Sequence, residues 1–148
     1  MPTYAVNKKA RFDYEILDTY EAGLILTGQE VKSVRAGQMN LKGAFVSFHN
    51  NGAFLTNAHI SKYKFAGTAF DYDPDQSRKL LLKNKEIAYL REKLQEKGLT
   101  IIPLSVYNKG RRIKLEIGVA KGKKKYDKRE SIKRREVKRE LDRKMKET

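Results

Sequence analysis

The chain has 148 residues, with 33 Lys and Arg against 18 Asp and Glu, a formal net charge of +15 at neutral pH. That length suits one domain with its own core plus a tail, and the cation excess points to a polyanionic partner, nucleic acid before an anionic membrane surface. Cysteine is absent, which excludes disulfides, thiolate metal sites and a cysteine nucleophile.

No apolar run reaches the ~20 residues of a membrane span, and MPTYAVNKKARFDYE lacks the apolar centre of a signal peptide. A soluble cytoplasmic protein is expected. Charge is uneven along the chain. Residues 121–148 carry a net +8 and residues 1–120 a net +7. The composition therefore divides the chain near Ala120 into a folded body, 1–120, and a basic tail, 121–148.

RFDYEIL alternates, with Phe12, Tyr14 and Ile16 on one face, and reads as a strand. In TGQEVKSVRAG, Thr27 and Glu30 form a capping-box pattern and Gly37 supplies a left-handed stop, which predicts a short helix. AFVSFH and AFLTNAHI flank Asn51-Gly52 and predict a hairpin. Lys64–Ser77 has turn residues and no steady period, so it reads as a loop. RKLLL is a short strand.

NKEIAYLREKLQEKG is the clearest helix, with Asn84 as its N-cap, Ile87, Leu90 and Leu94 on one face, and Gly98 as its stop. TIIPLSVY and RIKLEIGV form a second hairpin around NKGR. Ile113, Leu115, Ile117 and Val119 alternate with polar residues, and Pro103 pushes its strand towards an edge or a bulge. This order fits a mainly β fold with α elements: an OB-like antiparallel β-barrel of about six strands with two inserted helices.

The tail from Ser131 is conditionally helical. Val137, Leu141 and Met145 recur every four residues. Glu140 with Lys144 and Asp142 with Lys146 add i,i+4 pairs of roughly 0.2–0.5 kcal/mol each, too little to hold an isolated helix. The expectation is a tail mobile alone and helical against a partner, spanning roughly 27 Å over 131–148.

The residues show little catalytic chemistry. His49 and His59 sit in the first hairpin region without a surrounding motif. Asp71, Asp73 and Asp75 have calcium-loop spacing, but Gln76 replaces the turn glycine and Leu82 the bidentate glutamate. No phosphate-binding glycine motif and no nucleophile context is present. The reading is a non-enzyme with no cofactor and no metal.

RNA is the better partner. Lys8, Lys9 and Arg11 lie beside Phe12 and Tyr14, pairing phosphate-neutralising cations with aromatic rings. Phe12 also reads as core. Arg78 and Lys79 precede an apolar strand, and Lys114 lies on the polar face of another. A general RNA-binding OB protein, such as a ribosomal protein or a translation factor, would share these features. An RNA-processing enzyme using His49 or His59 is the other class.

NKKARFDYEI, YEAGLILTGQEVKSVRAG, NLKGAF, NAHI, RKLLL, KGLTIIPLSVY and KLEIGVAKGKKKYDKRE follow one another over about residues 7 to 130. In this succession the chain resembles the SsrA-binding protein (SmpB) family, the protein partner of transfer-messenger RNA (tmRNA). The resemblance implies an OB-like barrel that binds the tRNA-like domain of tmRNA. It implies delivery with elongation factor Tu, engaged indirectly through charged tmRNA, to the A site of a stalled bacterial ribosome for trans-translation.

The resemblance also implies tmRNA-binding roles for Glu21, Leu81 and Lys114; packing explains Leu81 equally well. Glu21 cannot attract phosphate, so it either orients a cation or accepts from a base or 2′-hydroxyl. The family's decoding-centre element falls on Lys123, Lys124, Tyr126, Asp127, Lys128 and Arg129. Lys121 and Lys125 belong to the same basic run, and Lys133, Arg134 and Arg135 continue it into the tail, which the resemblance sends into the empty mRNA channel against small-subunit RNA.

Overall fold

The computed structural model describes residues 2–50, 52–65, 71–123, 133 and 135–141. Its centre is the hairpin of β8 (Leu99–Lys109) and β9 (Arg112–Gly122), closed by Gly110 at φ +62°. β2 (Tyr14–Leu24) runs antiparallel along β9 for nearly its whole length. β7 (Arg78–Leu81) continues the sheet, followed by β5 (Gly52–Thr56) and β4 (Phe45–His49). β1 (Thr3–Val6) lies on the far side of β8.

The order is therefore β1-β8-β9-β2-β7-β5-β4, all antiparallel, with a second small sheet of β3 (Met39–Asn40) and β6 (His59–Ile60). The sheet curls so that β4 packs against β8 across the core, yet the edge strands β1 and β4 do not pair. It is an OB-like barrel left open, with more strands than the six expected. The short strands β1, β3 and β6 have too few residues for a period to show.

Alternation builds the core as read: Ile113, Leu115, Ile117 and Val119 are buried, joined by Ala22, Leu55 and Leu80 from neighbouring strands. A second cluster lies on the opposite face, where Ile102, Leu104 and Ala120 pack against Ala10, Tyr14 and Ile16. The continuous apolar run in β8 follows from this two-sided burial. Pro103 does mark a bulge, between Pro103 and Ser105, but β8 is paired on both sides and is no edge.

The cover over the second cluster is α1 (Lys8–Asp13), where a strand was expected to begin. Asn7 decides this. Its side chain accepts from the Ala10 amide at 3.3 Å and donates to the Pro103 carbonyl at 2.9 Å, capping one helical turn and tying it to β8. Of the predicted face, Tyr14 and Ile16 remain in β2 while Phe12 sits on the helix.

α2 (Gly28–Arg35) forms as read. Thr27 Oγ1 accepts from the Glu30 amide, Glu30 Oε1 accepts from the Thr27 amide, and Gly37 follows at φ +79°. In α3 (Asn84–Leu94) the cap falls one residue earlier than expected: Lys83 is the N-cap, its amide donates to Glu86, and Asn84 is the first helical residue. The helix ends sooner than expected, because Gln95 is its C-cap and Gly98, at φ +84°, lies three residues further on. In the first hairpin His49 lies opposite Gly52, and Asn50 takes φ 47°. Gly52 therefore belongs to β5, one position beyond the expected turn; residue 51 lies outside the described residues.

β9 runs through Lys121 and Gly122, and the Lys123 amide donates to the Asp13 carbonyl at 2.9 Å. The folded body thus extends past the composition boundary at Ala120. Residues 133 and 135–141 are helical, with Val137 and Leu141 exposed. Met145 and the partners in the Glu140–Lys144 and Asp142–Lys146 pairs fall wholly or partly outside the described residues. Among the described residues no helix is long and apolar enough to cross a membrane.

Candidate nucleic-acid interface

The polar face of the central strands gathers one cluster. Strand register sets Glu21 opposite Glu116, Lys114 opposite Gly23, and Tyr107 opposite Lys114. Glu21 accepts from the Tyr107 hydroxyl at 2.5 Å and from Lys109 Nζ at 3.1 Å. Hydrogen bonding by Tyr107, then Lys109, holds the Glu21 carboxyl below the usual carboxylate range, with Lys109 and Lys114 adding charge attraction. Burial, with the bond to Glu21, pushes the Tyr107 hydroxyl up. Glu21 is therefore ionised at neutral pH and both of its oxygens are engaged, so it orients a ring and a cation. Arg11 reaches Glu116 at 3.3 Å and joins this face from α1.

Beside the cluster is a groove of roughly 320 Å³. Leu24, Leu26, Val31 and Ile113 build its floor, and Arg35, Arg111, Arg112 and Lys114 line it as cations. Leu81 lines it too and is 54% exposed, packed over Gly23, where an added Cβ would come within 3.1 Å of the Leu81 Cβ. A half-exposed leucine amid four cations is a poor core residue and a suitable platform for the apolar face of a base. Arg35 donates to the Arg111 carbonyl at 3.3 Å, which ties α2 to the β8–β9 turn.

The expected RNA-facing residues do not all converge here. Leu81 and Lys114 line the groove, while Glu21 and Arg11 belong to the cluster of the polar strand face. Lys79 is exposed on β7, opposite Phe54. Lys8 and Lys9 line a separate hollow with Phe12 and Arg135, where the Arg135 guanidinium lies 5.0 Å from the Phe12 ring centroid.

Arg78 requires a correction. Its residue is 3% exposed, and its guanidinium donates to Glu30, the Ala58 and Pro74 carbonyls and the Tyr72 hydroxyl. With its donors engaged inside the protein, it offers phosphate nothing. Burial pushes the Glu30 carboxyl up, but hydrogen bonds from Thr27, Arg78 and Gln76 and the Arg78 charge outweigh it and hold Glu30 below its ordinary value.

In the basic run, Lys121 is exposed at the end of β9 and Lys123 follows it. Lys133 and Arg135 are helical and exposed. Lys124, Lys125, Tyr126, Asp127, Lys128, Arg129 and Arg134 lie outside the described residues. His59 Nδ1 is 2.9 Å from Asp75, and His49 lies against Phe54, with ring centroids 5.9 Å apart.

Sequence reasoning missed Tyr107, Lys109, Arg35, Arg111 and Arg112. The signal was present in the turn NKGRR, whose cations a hairpin projects together at one end of the sheet.

An open antiparallel barrel with a cation-lined, apolar-floored groove defines an RNA-binding protein of OB-like type. The comparisons particularise the class. The family model described as SmpB protein matches residues 4–147. An SsrA-binding protein of Gloeobacter violaceus is 55% identical over 139 residues, covering 94% of this chain and 91% of the relative. One of Streptococcus mutans is 54% identical over 143 residues, covering 97% and 92%.

A solved structure described as "tmRNA-SmpB: a journey to the center of the bacterial ribosome" is similar with a TM-score of 0.68 and 42% identity, covering 86% of this chain and 92% of that one. The chain belongs to the SmpB family of SsrA-binding proteins.

Proposed function

We propose that this protein binds the tRNA-like domain of tmRNA and places it in the A site of stalled bacterial ribosomes for trans-translation. The observation that carries this reading is family membership over nearly the whole chain, 54% identity across 97% of it in one relative. The groove supports it with chemistry suited to a structured RNA loop: cations for phosphate and an apolar ledge for an unpaired base.

Lys114, Arg111 and Arg112 neutralise phosphates along the groove. Glu21 holds Tyr107 and Lys109 in position, and Leu81 meets a base or sugar. Lys8, Lys9, Arg11 and Lys79 extend the cationic surface around the body. The basic run from Lys121 through Arg135 enters the decoding centre and the empty mRNA channel, where phosphate surrounds a cationic helix on several sides. Bound mRNA would fill that volume and exclude it. Elongation factor Tu takes part indirectly, through charged tmRNA.

The protein acts as an adaptor and not as an enzyme, without a cofactor, in the cytoplasm where ribosomes work. The test is capture of RNA from a bacterial lysate on the full chain, followed by sequencing. Strong enrichment of tmRNA over tRNA and ribosomal RNA is expected. Binding that follows RNA abundance, and collapses near physiological salt, would identify a general electrostatic binder instead.

A further inference from the structure

α2 presents cations to two places. Val31 and Arg35 line the groove, and Lys32, one turn before Arg35 and near it on the helix surface, points elsewhere. Its Nζ lies 5.4 Å from the Tyr63 ring centroid. Tyr63 meets Phe65 edge to face, at 5.5 Å and 68°, and Lys64 Nζ lies 5.5 Å from the Phe65 ring. Phe65 is 75% exposed, the most exposed large apolar side chain among the described residues. Nothing in the proposed function uses these residues.

A phenylalanine that open to water contributes little to the core and costs solvation. Its edge-to-face partner leaves ring surface free, while the lysines beside the two rings supply phosphate-binding charge. Interleaved rings and cations form a stacking platform for unpaired nucleotides. We propose that Tyr63 and Phe65, with Lys32 and Lys64, form a second RNA-binding ledge that stacks an unpaired base of the tRNA-like domain of tmRNA. Continuity with the groove through α2 selects that RNA over ribosomal RNA. The ledge rests on the proposed function for its RNA, and the test separates the two.

The chain contains no tryptophan, so Phe65→Trp installs a single reporter that preserves stacking. The full-length variant is titrated with a transcript of the tRNA-like domain, reading tryptophan emission and, in parallel, gel mobility. Saturable quenching that tracks binding is expected. Phe65→Leu, which keeps an apolar side chain but removes the ring, should lower affinity roughly tenfold, the scale of one stacked base, with an unchanged melting temperature.

A transcript that shifts in the gel while emission stays constant, or a Phe65→Leu variant that binds as tightly as wild type, overturns the ledge and leaves the proposed function intact. Quenching on addition of ribosomes, where the bound transcript leaves emission unchanged, also overturns the assignment to tmRNA. Failure of the transcript to bind the wild-type chain overturns both.

Discussion

Replacing Arg78 with Met tests whether this arginine is structural or RNA-facing. The substitution keeps much of the side-chain volume and removes every donor. In the wild type, Arg78 Nε and Nη2 lie 2.8 and 2.7 Å from Glu30 Oε2. Nη1 serves the Ala58 carbonyl at 2.6 Å, and Nη2 also serves the Pro74 carbonyl at 2.8 Å. Both side chains of the ion pair are 2% exposed. The variant would leave the Glu30 carboxylate buried without its cation, a loss of about 3–5 kcal/mol, out of a stability on the order of 5–15 kcal/mol.

At about 4 °C per kcal/mol for a domain of this size, the melting temperature should fall by roughly 12–20 °C, read by calorimetry or circular dichroism. Pairing it with Glu30→Met should recover part of the loss, because the stranded charge goes too. The salt dependence of RNA binding by the folded variant should match wild type. A melting temperature within a few degrees of wild type, together with a salt slope reduced by about one, would refute the reasoning and return Arg78 to the RNA surface.

Glu21→Gln should weaken binding of the tRNA-like domain roughly tenfold, the scale of a charge-assisted hydrogen bond, with little change in melting temperature; a large loss of stability would make Glu21 structural. Lys114→Ala should reduce the salt slope of the same binding by about one, measured across a salt series. Ending the chain after Lys123, which keeps β9 and its tie to Asp13, should spare much of the tmRNA affinity yet abolish tagging on stalled ribosomes; full tagging by this truncation would show that the tail is dispensable.

Glu30 also predicts a pH dependence. Its lowered folded pKa contributes stability present above the unfolded carboxylate value of about 4.3 and lost as pH falls through the folded value. Glu30→Gln should therefore flatten the acid limb of the melting-temperature profile. Gly118→Ala should destabilise the protein by about 1–3 kcal/mol, since the new methyl would approach Leu104 Cδ1 to 3.0 Å and Ile16 Cγ2 to 3.2 Å; denaturant unfolding measures this.

Much of the fold was legible because local chemistry agrees with the tertiary structure. The Thr27–Glu30 box is self-contained within four residues, and the period of β9 is clean because one of its faces packs on the core for the whole run. α1 was not legible. Its last three residues, Arg11 to Asp13, share the alternation of the strand that follows, and the deciding contact runs from Asn7 to Pro103, 96 positions away. β8 pairs with β9 as read but hid its other neighbour, β1: both faces are covered in its middle, so its apolar run has no period to read.

The candidate interface divides in the same way. Charge and motif succession pointed to Glu21, Leu81 and Lys114, and the fold brings Leu81 and Lys114 to one groove with Glu21 in the cluster beside it. Arg78 looked like Lys79, an adjacent cation before an apolar strand. Strand alternation put one inside and the other in water, and Glu30, with the Ala58 and Pro74 carbonyls and the Tyr72 hydroxyl, makes the inward position tolerable.

By itself the sequence determined a basic RNA-facing protein, the Thr27–Glu30 helix cap, its longest hairpin and its family, because these depend on residue type and near neighbours. The tertiary structure decided which cations are buried and which are exposed, that Glu21 is hydrogen-bonded to Tyr107 and Lys109, and that the barrel stays open. Those outcomes depend on contacts between segments distant in the chain, where burial and register determine the neighbours of each charge.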